Sequence, residues 1–137
     1  MAHVFLPEQP EHGSREEAGI GTYADRAIPA LVRMVSDTSA VPSSRLVAVV
    51  AGGARMFGGR PGTDIGQRNV EAVRRALAAG GIRIVAEDVG GSSGRTMRAI
   101  VGSVAGSVAV TVREVASPQR TLWTTTRHRE SPDRTAA

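Results

Sequence analysis

Leu46 to Ala51 (LVAVVA) is a nearly continuous apolar run. A segment that short and that uniformly apolar reads as a strand covered on both faces, since a half-exposed strand would alternate with polar residues. The chain must therefore supply material on both sides of one strand within 137 residues, the size of a single hydrophobic core. The run ends in Gly52-Gly53, and Gly58-Gly59 follows shortly after. The stretch GGARMFGGRPG is then a loop whose backbone can approach another group closely.

The remaining elements arrange themselves around that strand. Met1 to Leu6 reads as a short strand ended by Pro7, with His3 and Phe5 on one face and Ala2, Val4 and Leu6 on the other. Residues 8–22 are polar and contain Pro and Gly, as a loop does. A first helix starts between Thr22 and Asp25, a spacing close to a capping box, with Ala24, Ala27, Ile28, Leu31 and Val35 as its apolar stripe. Pro29 predicts a kink there, or a start nearer Asp25. A second helix follows Asp64, whose spacing to Gln67 predicts an N-terminal cap. Its stripe is Ile65, Val70, Val73, Ala76 and Leu77, and Gly80-Gly81 stop it. Ile82 to Glu87 is the next strand, and Met97 to Glu114 reads as a β-hairpin turning at Ala105-Gly106. Beyond Val115 the sequence turns rich in Ser, Thr, Pro and Arg, so residues 117–137 are expected to be a disordered tail carrying the sole tryptophan, Trp123.

Charge and composition exclude several functions. The formal charge is +4, and all 17 basic residues are arginine, which accounts for the high isoelectric point. They are interleaved with acids, and aromatics are 3% of the chain, so nothing resembles a nucleic-acid-binding stripe. No apolar run approaches the ~18–20 residues of a spanning helix, which predicts no membrane insertion. No leader is visible before Pro7, so a cytoplasmic location is expected. Cysteine is absent, which removes disulfides, thiolate zinc sites and any thiol nucleophile within these residues.

The candidate chemistry is sparse. Gly53 to Gly58 has P-loop glycine spacing, but Gly59 and Arg60 stand where Lys and Ser/Thr are needed for the phosphates and magnesium. Gly90 to Gly94 follows a strand, yet a hairpin comes next instead of the helix a dinucleotide site requires. Tight turns are the better reading of both. The histidines, His3, His12 and His128, have no metal-ligand spacing, and no cofactor is expected. Ser14 lies in a polar loop, and Ser92 and Ser93 lie in a glycine turn, so none is placed as a nucleophile. Periodicity alone stops at a small α/β domain.

Five phrases in a fixed order carry more information: MAHVFLP (Met1 to Pro7), YADRAI (Tyr23 to Ile28), AGGARMF (Ala51 to Phe57), IGQRNV (Ile65 to Val70) and EDVGGSSGR (Glu87 to Arg95). Together with the hairpin they closely resemble the CheD family of chemoreceptor glutamine deamidases, over roughly residues 1–115. The resemblance implies a single layered α/β domain over residues 1–116, with a mixed β-sheet core and flanking helices. It implies an enzyme that converts glutamines of methyl-accepting chemoreceptors to glutamate, in some members also binding a CheC-type phosphatase. The family nucleophile is a cysteine in a Gly-Ser-Cys phrase, one strand upstream of a histidine that corresponds to His3. The resemblance therefore implies N-terminal strands, with the cysteine and a catalytic threonine, that these residues do not contain. His3 is the one catalytic residue carried over. The alternative expectation is a non-catalytic module that docks on receptors or on the phosphatase.

Overall fold

The computed structural model describes residues 1–10, 19–55, 64–102 and 107–125. Its elements are helix α1 (Ala24–Ser39), a 3-10 turn (Ser43–Arg45), strand β1 (Val47–Gly52), helix α2 (Ile65–Ala79) and strands β2 (Arg83–Val89), β3 (Arg95–Val101), β4 (Val108–Glu114) and β5 (Arg120–Thr125). β1 and β2 pair in parallel, and β3, β4 and β5 form an antiparallel sheet in that order. A parallel pair needs a crossover, and α2 is that crossover. The α/β character and the presence of both pairing senses agree with expectation; the two senses occupy separate sheets.

The core forms where the helices meet the parallel pair. Ile28 of α1, Leu77 of α2 and Ile82 at the start of β2 are buried together, flanked by Val4, Val32, Leu46, Ala48, Val50, Val73, Ala76 and Ile84. The burial of Ala27, Ala30 and Ala72 lets α1 and α2 approach closely. In the second sheet Val110, Thr111 and Val112 of β4 are all buried, as befits a central strand.

Several elements depart from expectation. Met1 to Leu6 forms no strand: among the described residues its only pairing is an isolated bridge between Leu6 and Tyr23. An extended segment becomes a strand only when it pairs along its length, and among the described residues, residues 1–5 make no such ladder. The apolar stripe of α1 is rotated, with Ala30 buried and Val32 on the core while Val35 is exposed. The helix also runs through Pro29, whose ring faces solvent. On α2, Ala72 is buried in place of the exposed Ile65. Strand β1 remains half-buried instead of covered, and Val47 is exposed, because only one strand pairs with it among the described residues.

The C-terminal reading also needs correction at one place. Arg120–Thr125 lie inside the span expected to be disordered, yet they pair with β4, setting Trp123 opposite Val110. Composition weighted Ser, Thr and Pro toward disorder, but Thr and Trp are also good strand formers beside an available edge. Residues 126–137, the hairpin turn at Ala105-Gly106, Gly58-Gly59 and His12 lie outside the described residues.

Candidate active site around His3

The segment that carries His3 is extended and held from two sides. The Phe5 and Leu6 N–H groups both donate to the Thr22 carbonyl, at 3.1 and 2.9 Å, and the Ala24 N–H donates to the Leu6 carbonyl at 2.9 Å. That last bond serves one of the orphan donors at the start of α1, in place of the side-chain cap that the Thr22 spacing predicted. From the other side, Asn69 Nδ2 of α2 donates to the Phe5 carbonyl at 2.9 Å. Pro7 is buried just beyond, Glu8 pairs with Arg75, and the Gln9 side chain accepts from Arg26 at 2.8 Å.

Alternation then decides what faces outward. Val4 packs on the Ile28–Leu77–Ile82 core, so His3 and Phe5 point away from it, and both are exposed. Their rings lie 4.6 Å apart between centroids, tilted by 42°. An imidazole presented this way on an anchored backbone is accessible to a proton donor brought alongside it.

A second junction lies at the carboxyl ends of the parallel strands. The Gly90 N–H donates to the Gly52 carbonyl at 2.9 Å, and the Arg55 N–H to the Gly91 carbonyl at 2.8 Å. Gly53 sits at φ +65°, and a Cβ there would lie 2.4 Å from Val70 Cγ2 and 2.9 Å from the Gly66 oxygen. A Cβ on Gly66 would fall 2.7 Å from the Gly53 oxygen. The glycines exist so that the loop after β1 can lie against the first turn of α2. Asp64 caps that turn, accepting from the Gln67 N–H at 3.2 Å, as its spacing predicted. Its pKa is lowered, chiefly by that bond and then by Arg55, whose Nε lies 3.0 Å away. The cavity here holds about 200 Å³, and both arginines that line it are engaged, Arg55 with Asp64 and Arg74 with Glu87 at 2.7 Å. Arg74 holds the Glu87 carboxylate below its ordinary pKa, and Glu87 in turn raises that of Arg74. With each guanidinium committed to a carboxylate, the cavity is a poor phosphate cradle.

Arg95 closes the turn after β2. Its side chain is 7% exposed and donates to Asp88 at 3.0 Å and to the Gly90 carbonyl at 2.6 Å. Arg120 of β5 reaches the other Asp88 oxygen at 2.6 Å. This arrangement ties the two sheets together. No cluster of three metal-ligating side chains occurs among the described residues.

The five phrases therefore meet in space: the first with the second and fourth, the third with the fourth and fifth. Reasoning from the sequence missed Asn69, Asp88 and Arg95. Asn69 left a signal, because it stands four residues from Ile65 and from Val73, a polar residue on the expected apolar stripe. The Arg95–Asp88 ion pair left none in charge or spacing, since both residues look like ordinary surface charges.

Comparison with known proteins bears on what this arrangement belongs to. The family model described as CheD chemotactic sensory transduction matches residues 5–111, a span that begins two residues after His3. The "Probable chemoreceptor glutamine deamidase CheD" of Symbiobacterium thermophilum is 49% identical over 104 residues, covering 74% of this chain and 62% of that protein. The chemoreceptor glutamine deamidase CheD of Halalkalibacterium halodurans is 45% identical over 100 residues, covering 71% and 60%. That of Thermotoga maritima is 38% identical over 122 residues, covering 84% and 74%. The chain thus spans about three fifths of the length of the first and second of these relatives. With most of its length matched by the family model, the chain belongs to the CheD family.

Proposed function

We propose that this chain is the histidine-bearing part of a chemoreceptor glutamine deamidase, and that His3 is its general base and acid. The observation that carries the reading is the outward-facing imidazole of His3 on a backbone segment pinned by Thr22, Ala24 and Asn69. The nucleophile is a cysteine from residues outside these 137, on a strand laid beside the His3 segment. One fact supports that addition: the chain covers about three fifths of the length of two of its relatives.

The chemistry follows from the pairing of imidazole and thiol. His3 takes the thiol proton, and the thiolate attacks the side-chain carbonyl carbon of a receptor glutamine. Backbone N–H groups hold the resulting oxyanion. When the C–N bond breaks, the imidazolium gives its proton to the departing ammonia and a thioester remains. His3 then draws a proton from water, hydroxide adds to the thioester, and glutamate leaves as the thiol recovers its proton. The balance is glutamine plus water giving glutamate plus ammonia. A cytoplasmic setting and docking by a CheC-type phosphatase belong to the same proposal. No helix among the described residues is long and apolar enough to cross a membrane.

The absence of cysteine favours a second reading, a CheD-like module that binds receptors or the phosphatase without chemistry. The in-frame codons ahead of Met1 separate the two. If they encode a Gly-Ser-Cys phrase, the longer protein incubated with a methyl-accepting receptor should add about one dalton per converted glutamine. A longer protein that binds receptor without that gain is the non-catalytic module.

A further inference from the structure

We infer that Asn69 is the positioning residue for His3, an inference that rests on the proposed role of His3. The amide of Asn69 reaches across 64 residues of sequence to the carbonyl of Phe5, which is two residues from His3 and shares its face. The other backbone hydrogen bonds of residues 1–6 go to Thr22 and Ala24 at the start of α1, while Val4 packs on the core and Glu8 pairs with Arg75 further along. Among the described residues, Asn69 is the one hydrogen-bonding link from this stretch of backbone to α2. Hydrogen bonds from two different elements fix the direction of the backbone around Phe5 more tightly than those from the start of α1 alone.

The orientation of the Asn69 amide is set by chemistry. Rotating it by half a turn would place Oδ1 against the Phe5 carbonyl, oxygen facing oxygen, so Nδ2 must be the group presented. Oδ1 is buried and accepts no hydrogen bond among the described residues. A helix in this position would be served better by leucine if packing were the only demand, since a buried acceptor without a donor is unfavourable. Asn69 therefore trades packing for a bond that aims the His3–Phe5 face.

The test uses the 137-residue chain itself, by NMR of the isotope-labelled protein. In the unmodified chain, the Asn69 side-chain N–H protons should exchange at least about tenfold more slowly than those of exposed Gln119. Asn69→Asp closely matches the size and shape of asparagine, and Asn69→Leu keeps the branching at Cγ with a bulkier apolar end; both remove the donor. In both, the His3 and Phe5 signals should shift and the contact between their rings should be lost, while the Val112 amide in β4 stays in place. Exchange at Asn69 as fast as at Gln119 would overturn the inference even if neither variant folds. So would an Asn69→Asp chain whose His3–Phe5 contact persists, since size alone would then suffice. These outcomes are independent of deamidation: the longer protein could lack activity with Asn69 still aiming the imidazole, or be active with His3 held by α1 alone.

Discussion

Two residues whose importance is not obvious from their type control local structure here. Gly53 combines a left-handed backbone with a site where a Cβ would collide with Val70 and with the Gly66 backbone. Gly53→Ala should cost at least ~2 kcal/mol, from the unfavourable φ and the forced overlap together, read as a lowered urea midpoint. The glycine pair was legible as a close-approach loop; what it approaches was not, because the partner Gly66 lies across a loop in a helix. Arg95 is the second case. Replacing it with Met leaves the 9% exposed Asp88 carboxylate with Arg120 as its remaining charged partner, and leaves the Gly90 carbonyl without its donor. Breaking a buried pair costs about 3–5 kcal/mol when the remaining charge has no partner, and Arg120 still serves Asp88, so Arg95→Met should cost somewhat less, about 2–3 kcal/mol, in denaturant unfolding. A loss within the range of a surface pair would contradict the clamp.

Among the elements, α2 was the most legible, since its cap, its stop and most of its stripe follow from local spacing. The cap also makes a pH prediction. Asp64 and Glu87 both have lowered pKa values in the folded protein, the first mainly through the Gln67 N–H and the second mainly through Arg74. A carboxylate of that kind adds stability above its unfolded pKa, near 3.8 for Asp and 4.5 for Glu, and loses it as pH falls through the lower folded value. The urea midpoint should therefore drop as pH is lowered below about 4.5. Asp64→Asn, which can still cap the helix, together with Glu87→Gln should flatten that slope. The start of α1 was less legible because its cap is a carbonyl from Leu6, a contact no local window contains. Strand β5 was missed for a similar reason: its status depends on the free edge of β4 more than on its own composition. It supplies a convenient reporter, since Trp123 is the sole tryptophan. Its emission should be blue-shifted in the folded chain and move red in the same urea transition that melts the helices; a separate, earlier transition would detach β5 from the fold.

At the scale of the whole molecule, the order of five short phrases carried the family, and the fold explains why they belong together. They are the surfaces where loops, helix ends and the first residues touch, so they share a geometry that composition and periodicity do not express. The layered α/β class could be read from apolar runs alone. The division into a parallel pair and an antiparallel trio could not, because pairing sense depends on neighbours distant in sequence. The functional account reduces to one relation, that between the imidazole of His3 and a thiol. It is tested most directly, in a longer protein that carries the Gly-Ser-Cys phrase, by the rate at which that cysteine reacts with iodoacetamide at pH 7. With His3 present that rate should exceed the rate in the His3→Ala variant by about tenfold or more, as a histidine-paired thiolate requires. Equal rates in the two proteins would mean that His3 does not activate the sulfur, and the proposed catalytic role would fall.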